Sequence, residues 1–194
     1  MASRLGRIAT QGALFACLGS AHAQILWNES VNGDLSGDRF NPTNLSFAAG
    51  SNRIIGSMGS TDKEYVHFSL APGMALAQII VVDYSSGDPI SFIGVQAGNT
   101  FTEPATGTTV GNLLGYTLFG DAHIGTDILP AMGTGSGSMG FTPPLTGSDY
   151  TFWIQQTGDP TTYDLNFVTT PEPGTISLGI GAAWLLWKRR RAKK

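Results

Sequence analysis

Cysteine is nearly absent from this 194-residue chain, whose single copy is Cys17. That residue lies in an N-terminal segment with the pattern of a cleavable export signal, so the mature chain would contain no cysteine. Such a chain forms no disulfide, binds no metal through thiolates and offers no thiol nucleophile. Its stability must come from a hydrophobic core, and roughly 145 residues are enough to bury one.

Basic residues are scarce between residues 24 and 170, where Arg39, Arg53 and Lys63 stand against thirteen acidic residues. The formal charge of that stretch is −10. A surface of this sign repels phosphate backbones, so the sequence predicts no nucleic-acid partner. The charge would attract divalent cations, or would serve only to keep an exported protein soluble.

Histidine is scarce as well, and His67 and His123 are the only two beyond the export signal. The sequence contains no His-Glu-x-x-His zinc motif and no Gly-x-Ser-x-Gly nucleophile turn. We therefore expect no enzymatic activity. One catalytic alternative stays open, a secreted hydrolase such as a glycosidase, because two well-placed carboxylates suffice for that chemistry.

No stretch before residue 175 has a sustained helical period, and short runs alternate apolar and polar residues instead. One run places Val66 and Phe68 on one face and Tyr65 and His67 on the other. A turn at 157–160 predicts that the last two strands form a hairpin. Together the runs predict an all-β fold, a single antiparallel β-sandwich or jelly roll over residues 24–168. The candidate strands are 44–47, 64–70, 75–84, 91–95, 113–119, 150–156 and 163–167.

The N-terminus has the three parts of a secretory signal peptide. Arg4 and Arg7 give a basic start, residues 8–18 are mostly apolar, and Ala21 and Ala23 form a small-x-small cleavage site. We expect a signal peptide at residues 1–23 and a mature chain that begins at Gln24. A loose lipobox ending at Cys17 leaves lipidation as an alternative.

The C-terminus combines a turn, an apolar run and a basic end. After a short linker at Thr169 and Thr170 come Pro171-Glu172-Pro173-Gly174, the apolar run 175–187 and the basic tail 188–194. As a helix the run would rise ~20 Å, against ~30 Å for a bilayer core, and snorkelling basic side chains would extend its reach. This pattern predicts a C-terminal transmembrane helix with its basic end in the cytoplasm.

Residues 169–194 resemble the PEP-CTERM sorting signal of Gram-negative bacteria. The resemblance implies a transient anchor in the inner membrane, processing by a membrane transpeptidase called an exosortase, and delivery to the cell surface or extracellular matrix. Members of this family accompany exopolysaccharide production and biofilm, so we expect a binding or structural module with exopolysaccharide as a partner. The recognition residues would be Pro171, Glu172 and Pro173, and the basic end Arg189, Arg190 and Arg191. The β domain itself resembles the pre-peptidase C-terminal type of β-sandwich, at residues 62–68, 72–73 and 149–152.

Residues 32–38 place oxygen-bearing side chains at alternate positions before and after Gly37, as an EF-hand calcium loop does. Asp34 and Asp38 are therefore candidate calcium ligands. Thr43 stands where that loop has its bidentate glutamate, so a plain polar turn is the alternative. Other carboxylates could complete a calcium site across the fold, either Asp62 with Glu64 or Asp83 with Asp88, and such a module would be calcium-stabilised.

Trp153 is the candidate ligand-binding residue. If Tyr150, Phe152 and Ile154 face the core, period-two alternation turns Trp153 outward beside Gln155. An exposed tryptophan with polar neighbours stacks on sugar rings. The alternative is that Trp153 covers the second sheet or an edge.

Overall fold

The computed structural model describes residues 23–85, 87–147 and 149–172. Within these ranges the chain is all-β, with ten strands and two short α-helices. The elements in chain order are β1 Gln24–Asn28, α1 Glu29–Asn32, β2 Thr43–Ser46, β3 Gly50–Met58, β4 Lys63–Ser69, β5 Met74–Ser85, β6 Ser91–Ala97, β7 Gly115–Phe119, α2 Leu129–Gly133, β8 Leu145–Thr146, β9 Asp149–Gln155 and β10 Thr161–Pro171.

The strands form two five-stranded sheets that pack on one hydrophobic core. The first sheet has the order β1-β3-β10-β5-β8 and the second β2-β4-β9-β6-β7. Period-two alternation turns Phe68 and Phe152 of the second sheet toward Phe167 of the first, and all three are buried. The ring centroids of Phe152 and Phe167 lie 5.4 Å apart across the core, edge to face.

Both sheets are mixed, so the expectation of a purely antiparallel fold is wrong at two edges. Strand β1 runs parallel to β3, and β2 runs parallel to β4. Between the two strands of each pair, the chain forms a strand of the other sheet. In the chain, β2 lies between β1 and β3, and β3 lies between β2 and β4. Parallel neighbours need such a long crossover, whereas a tight turn would have forced antiparallel pairing.

The predicted terminal hairpin is also wrong, because β9 and β10 belong to different sheets. The side chain of Gln156 holds the start of the connection that leads from β9 to β10 in the other sheet. Its amide nitrogen donates to the carbonyl of Ile90 at 2.6 Å, and its oxygen accepts from the backbone of Thr157 and Gly158. Alternation reports which face of a strand meets the core, and it carries no information on which strand lies beside it.

Residues 169 and 170 are strand and not linker, which moves the predicted end of the domain past residue 168. Thr169 is buried and pairs with Leu76, and its hydroxyl donates to the carbonyl of Ala48 at 2.5 Å. Pro171 still belongs to β10, and the backbone nitrogen of Glu172 donates to the Gly73 carbonyl at 2.8 Å. The first two residues of the predicted sorting motif therefore lie against the sheet.

The predicted targeting segments fall mostly outside the described residues. Ala23 is the first described residue and is exposed, while Ala21 and the rest of the predicted signal peptide lie outside. Pro173, the predicted apolar helix 175–187 and the basic tail also lie outside. In the three described ranges, no helix is long and apolar enough to cross a membrane.

Candidate functional site

An acidic pocket opens where the first residues of the domain meet strands β3 and β10 and the residue that precedes β4. Its volume is about 580 Å³. Three of its lining residues are carboxylates, four are hydroxyl or amide side chains, and none is a lysine or arginine. The lining residues are Asn28, Glu29, Ser30, Asp34, Ile55, Gly56, Ser57, Asp62 and Thr162.

Glu29 is the first residue of α1 and forms one wall of the pocket. The side chain of Asn28 caps this one-turn helix by accepting from Ser30. One carboxylate oxygen of Glu29 accepts from the backbone nitrogen of Leu35 at 3.1 Å. The other accepts from the backbone nitrogen of Ser57 at 2.6 Å and from its hydroxyl at 3.0 Å. These donors hold the carboxylate in place between the α1 segment and strand β3.

Glu64 lies behind the wall and has no solvent-exposed surface. It shares the inward face of β4 with Val66, so alternation carries it into the interior. The hydroxyl of Tyr163 donates to its Oε2. Its Oε1 is buried and has no hydrogen-bond partner. A buried carboxylate oxygen without a partner is costly, because the water that solvated it has not been replaced.

Three carboxylates converge at this point, although they come from separate parts of the chain. Oxygens of Glu29, Asp34 and Glu64 all lie within 4.8 Å of one another. Burial raises the pKa of Glu64 well above its usual range, and the negative charges of Glu29, Asp62 and Asp34 raise it further. Burial and the charge of Glu29 raise the pKa of Asp34. Burial and the negative charges of Asp34 and Glu29 raise the pKa of Asp62.

The cluster can bind either a proton or a metal cation. Carboxylates this close repel one another when all are ionised, and a proton or a cation between them relieves the repulsion. A donor set made only of carboxylate oxygens suits hard cations such as calcium. Acid–base attack on a substrate is a poor match, because Glu64 has no surface at which a substrate atom could reach it.

The residues predicted as calcium ligands separate in the structure. Asp34 joins the cluster, and Asp62 and Glu64 lie at the same site. Asp38 does not, because its Oδ1 accepts from the backbone nitrogen of Phe40 at 2.9 Å in a local turn. The EF-hand-like interpretation of residues 32–38 is therefore corrected: of its two candidate ligands only Asp34 lies in the carboxylate cluster, whose other members come from α1 and β4.

Glu29 was missed by the sequence reasoning. It precedes Asp34 by five residues, which matches no alternate-position pattern, and it reaches the site only because α1 turns back toward β3. Glu64 carried a usable signal. It occupies an alternate position of β4 together with Val66 and Phe68, so the alternation alone predicts a carboxylate on the face that meets the core.

Trp153 is buried, so its predicted outward exposure is wrong. Its relative exposure is 5%, and it lies in a small second core with Tyr65, Phe101 and Leu113. Alternation did turn it away from the main core. Phe101 and Leu113, which follow β6, then cover that outer face of the second sheet, and the rings of Phe92 and Trp153 lie 4.5 Å apart. Trp153 is not available to stack on a sugar.

The two histidines lie apart from the pocket. His67 contacts the side chains of Asn44, at 2.6 Å, and Asp149, at 3.3 Å. His123 ends a short 3₁₀ turn, and neither residue lines the acidic pocket. No pairing of a histidine with a serine or threonine hydroxyl is found in the parts of the chain that the structure describes.

In comparisons with known proteins, no family model matches the chain, and no curated protein or solved structure matches it either. The likeness of the C-terminus to a sorting signal therefore depends on those residues alone. The acidic pocket has to be interpreted from its own chemistry.

Proposed function

We propose that this chain is an exported bacterial protein whose β domain is a non-catalytic binding or structural module of the cell surface or extracellular matrix. The export half of the proposal depends on the order of basic, apolar and small residues before Gln24 and on the sorting motif that begins at Pro171. An exosortase would process the chain at that motif after transient anchoring in the inner membrane.

The acidic pocket is the observation that carries the binding half. Its volume, about 580 Å³, lies in the range of sites that enclose a small ligand or a sugar unit. Ser30, Ser57 and Thr162 supply hydroxyls and Asn28 an amide, which are suitable hydrogen-bond partners for a polyhydroxylated chain. The carboxylates disfavour phosphorylated ligands. Exopolysaccharide is therefore the proposed ligand class.

The same geometry disfavours Glu64 and Glu29 as the catalytic pair of a carboxylate-based hydrolase. Such an enzyme needs two carboxyl groups that face the scissile bond from the cleft. Glu64 is fully buried, and both oxygens of Glu29 already accept hydrogen bonds from Leu35 and Ser57. A binding role for the pocket requires neither carboxylate to move.

Binding is tested by co-sedimentation with the host's purified exopolysaccharide. The chain used is residues 24–172, which retains both sheets and all of β10. We expect it to pellet with the polysaccharide and Thr162→Val to pellet less, because the pocket loses a hydroxyl. Thr170→Val is the matched control, since Thr170 is an exposed threonine on the same strand outside the pocket. Equal binding by the two variants, or none by the parent chain, would refute this role.

Processing is tested separately by the intact mass of the surface-exposed form. We expect a chain that starts at Gln24 and ends near Pro173. A surface form that still carries Lys194 would contradict exosortase processing and leave the binding test unaffected.

A further inference from the structure

We propose that Glu29, Asp34 and Glu64 form a divalent-cation site, of the calcium class, at the inner wall of the acidic pocket. The site goes beyond the proposed function, because it requires no polysaccharide and no processing. Asp62, at the pocket edge, adds a fourth negative charge close by.

The separation of the oxygens fits one shared calcium ion. Calcium–oxygen distances are about 2.3–2.6 Å, so two ligands on opposite sides of the ion are at most ~5 Å apart. Oxygens of the three carboxylates all lie within 4.8 Å of one another, which satisfies that limit. Magnesium requires shorter distances of about 2.0–2.1 Å in near-ideal octahedral geometry and gives up its water reluctantly, so three carboxylates from separate segments suit calcium better.

The buried Oε1 of Glu64 is an independent indication of a ligand. It has no hydrogen-bond partner, while Oε2 of the same group is held by Tyr163. Interior carboxylate oxygens are almost always paired, so a free one directed at two further carboxylates calls for either a proton or a cation between them. A cation coordinated by this oxygen would replace the solvation that burial removed.

No side chain of the pocket supplies that positive charge. None of the nine lining residues is basic. Arg53, the nearest basic residue along β3, is paired with Asp164. The hydrogen bonds to Glu29 come from neutral groups of Leu35 and Ser57 and fix its position without neutralising it.

The ligand types and the open pocket favour calcium over transition metals. Zinc sites draw on histidine and cysteine, whereas the three groups here are all carboxylates. Calcium takes six to eight oxygens, and the positions left by the three side chains would face the cavity and be filled by water. Because Glu29 belongs to α1, Asp34 to the following loop and Glu64 to β4, the ion would fasten the start of the domain to the second sheet.

The test is a calcium titration of the full chain, purified in mild detergent and stripped with a chelator, with no polysaccharide present. Melting temperature and terbium luminescence are the two readouts, since the Tyr163 ring beside Glu64 can sensitise a bound lanthanide. The variants are Asp34→Asn, which is exposed and should fold normally, and Glu64→Gln. Asp38→Asn is the matched control, because Asp38 is an exposed aspartate of the same segment outside the cluster.

We expect calcium to raise the melting temperature of the parent chain and of Asp38→Asn, and to do so more strongly than magnesium. Loss of an outer-shell partner alone weakens metal sites ~10- to 100-fold, so losing a ligand should weaken apparent affinity at least roughly tenfold in the other two variants. No calcium response in the parent chain would overturn the site. An equal response in all four chains would also overturn it, because a diffuse acidic surface would behave that way.

Discussion

The substitution Glu64→Gln replaces the buried carboxyl group by an amide of similar size that cannot ionise. The amide oxygen can still accept from Tyr163, and the amide nitrogen can donate to Glu29, where Oε1 now has no partner. In chelator at neutral pH the substitution should therefore stabilise the protein. Most substitutions of buried polar residues destabilise, which makes the direction of this effect informative.

The magnitude follows from proton linkage. Burial and neighbouring negative charges raise the folded-state pKa of Glu64 well above the ordinary value of 4.5. As pH rises from 4.5, the unfolded chain releases this proton while the folded chain retains it, so the free energy of unfolding falls. One proton corresponds to at most about 1.4 kcal/mol per pH unit, and the fall ends at the folded-state pKa. Glu64→Gln should lack this contribution.

The assay is urea unfolding of both chains in chelator at half-unit steps of pH from 4 to 8, an interval chosen to begin below the ordinary glutamate pKa. The difference between the two free energies isolates Glu64, because Asp34 and Asp62 titrate in both chains. That difference should grow with pH above 4.5 in favour of the variant. A difference that stays constant with pH, or grows in favour of the parent chain, would refute the inferred burial of an uncompensated carboxylate.

Two further predictions concern packing. A Cβ on Gly56 would lie 2.7 Å from the hydroxyl oxygen of Tyr163, so Gly56→Ala should lower the free energy of unfolding in urea by about 1–3 kcal/mol. Gly59→Ala is the control and should lower it less, because the nearest atom to a Cβ there is 3.9 Å away. Equal losses in the two variants would contradict the contact. Truncation to residues 24–168 should lower stability by about 1–3 kcal/mol relative to residues 24–172, because the shorter chain loses the last ladder bonds of β10; identical urea midpoints would show that the added residues are linker.

Much of the strand content could be predicted from the sequence, because alternation and turn residues are local signals. The alternation also predicted which face of a strand meets the core, and Phe68 and Phe152 both lie there as it requires. Strand β3 was missed because glycine, serine, asparagine and arginine occupy its first four positions. Its apolar residues are few and its polar Asn52 is buried, which no alternation pattern anticipates.

Trp153 and Glu64 show the limit of parity as a guide to exposure. Alternation along β9 turned Trp153 away from the main core. Residues remote from Trp153 in sequence cover that outer face of the sheet, so Trp153 is buried. The even position of Glu64 on β4 turned it inward, and there its environment is set by Tyr163 and by three carboxylates from elsewhere, Glu29, Asp34 and Asp62. Direction along a strand is local, but what a side chain meets there is set by distant segments.

The sequence by itself determined the negative charge of the domain, the absence of cysteine after residue 23 and the all-β class, and it carries the patterns at the two ends that predict export, because composition and period-two alternation need no knowledge of contacts. The tertiary structure alone decided which strands are neighbours, where β10 ends, and which carboxylates meet. Glu29, Asp34 and Glu64 lie on three different segments, and only the closure of α1 and its loop against β3 and β4 brings their oxygens together.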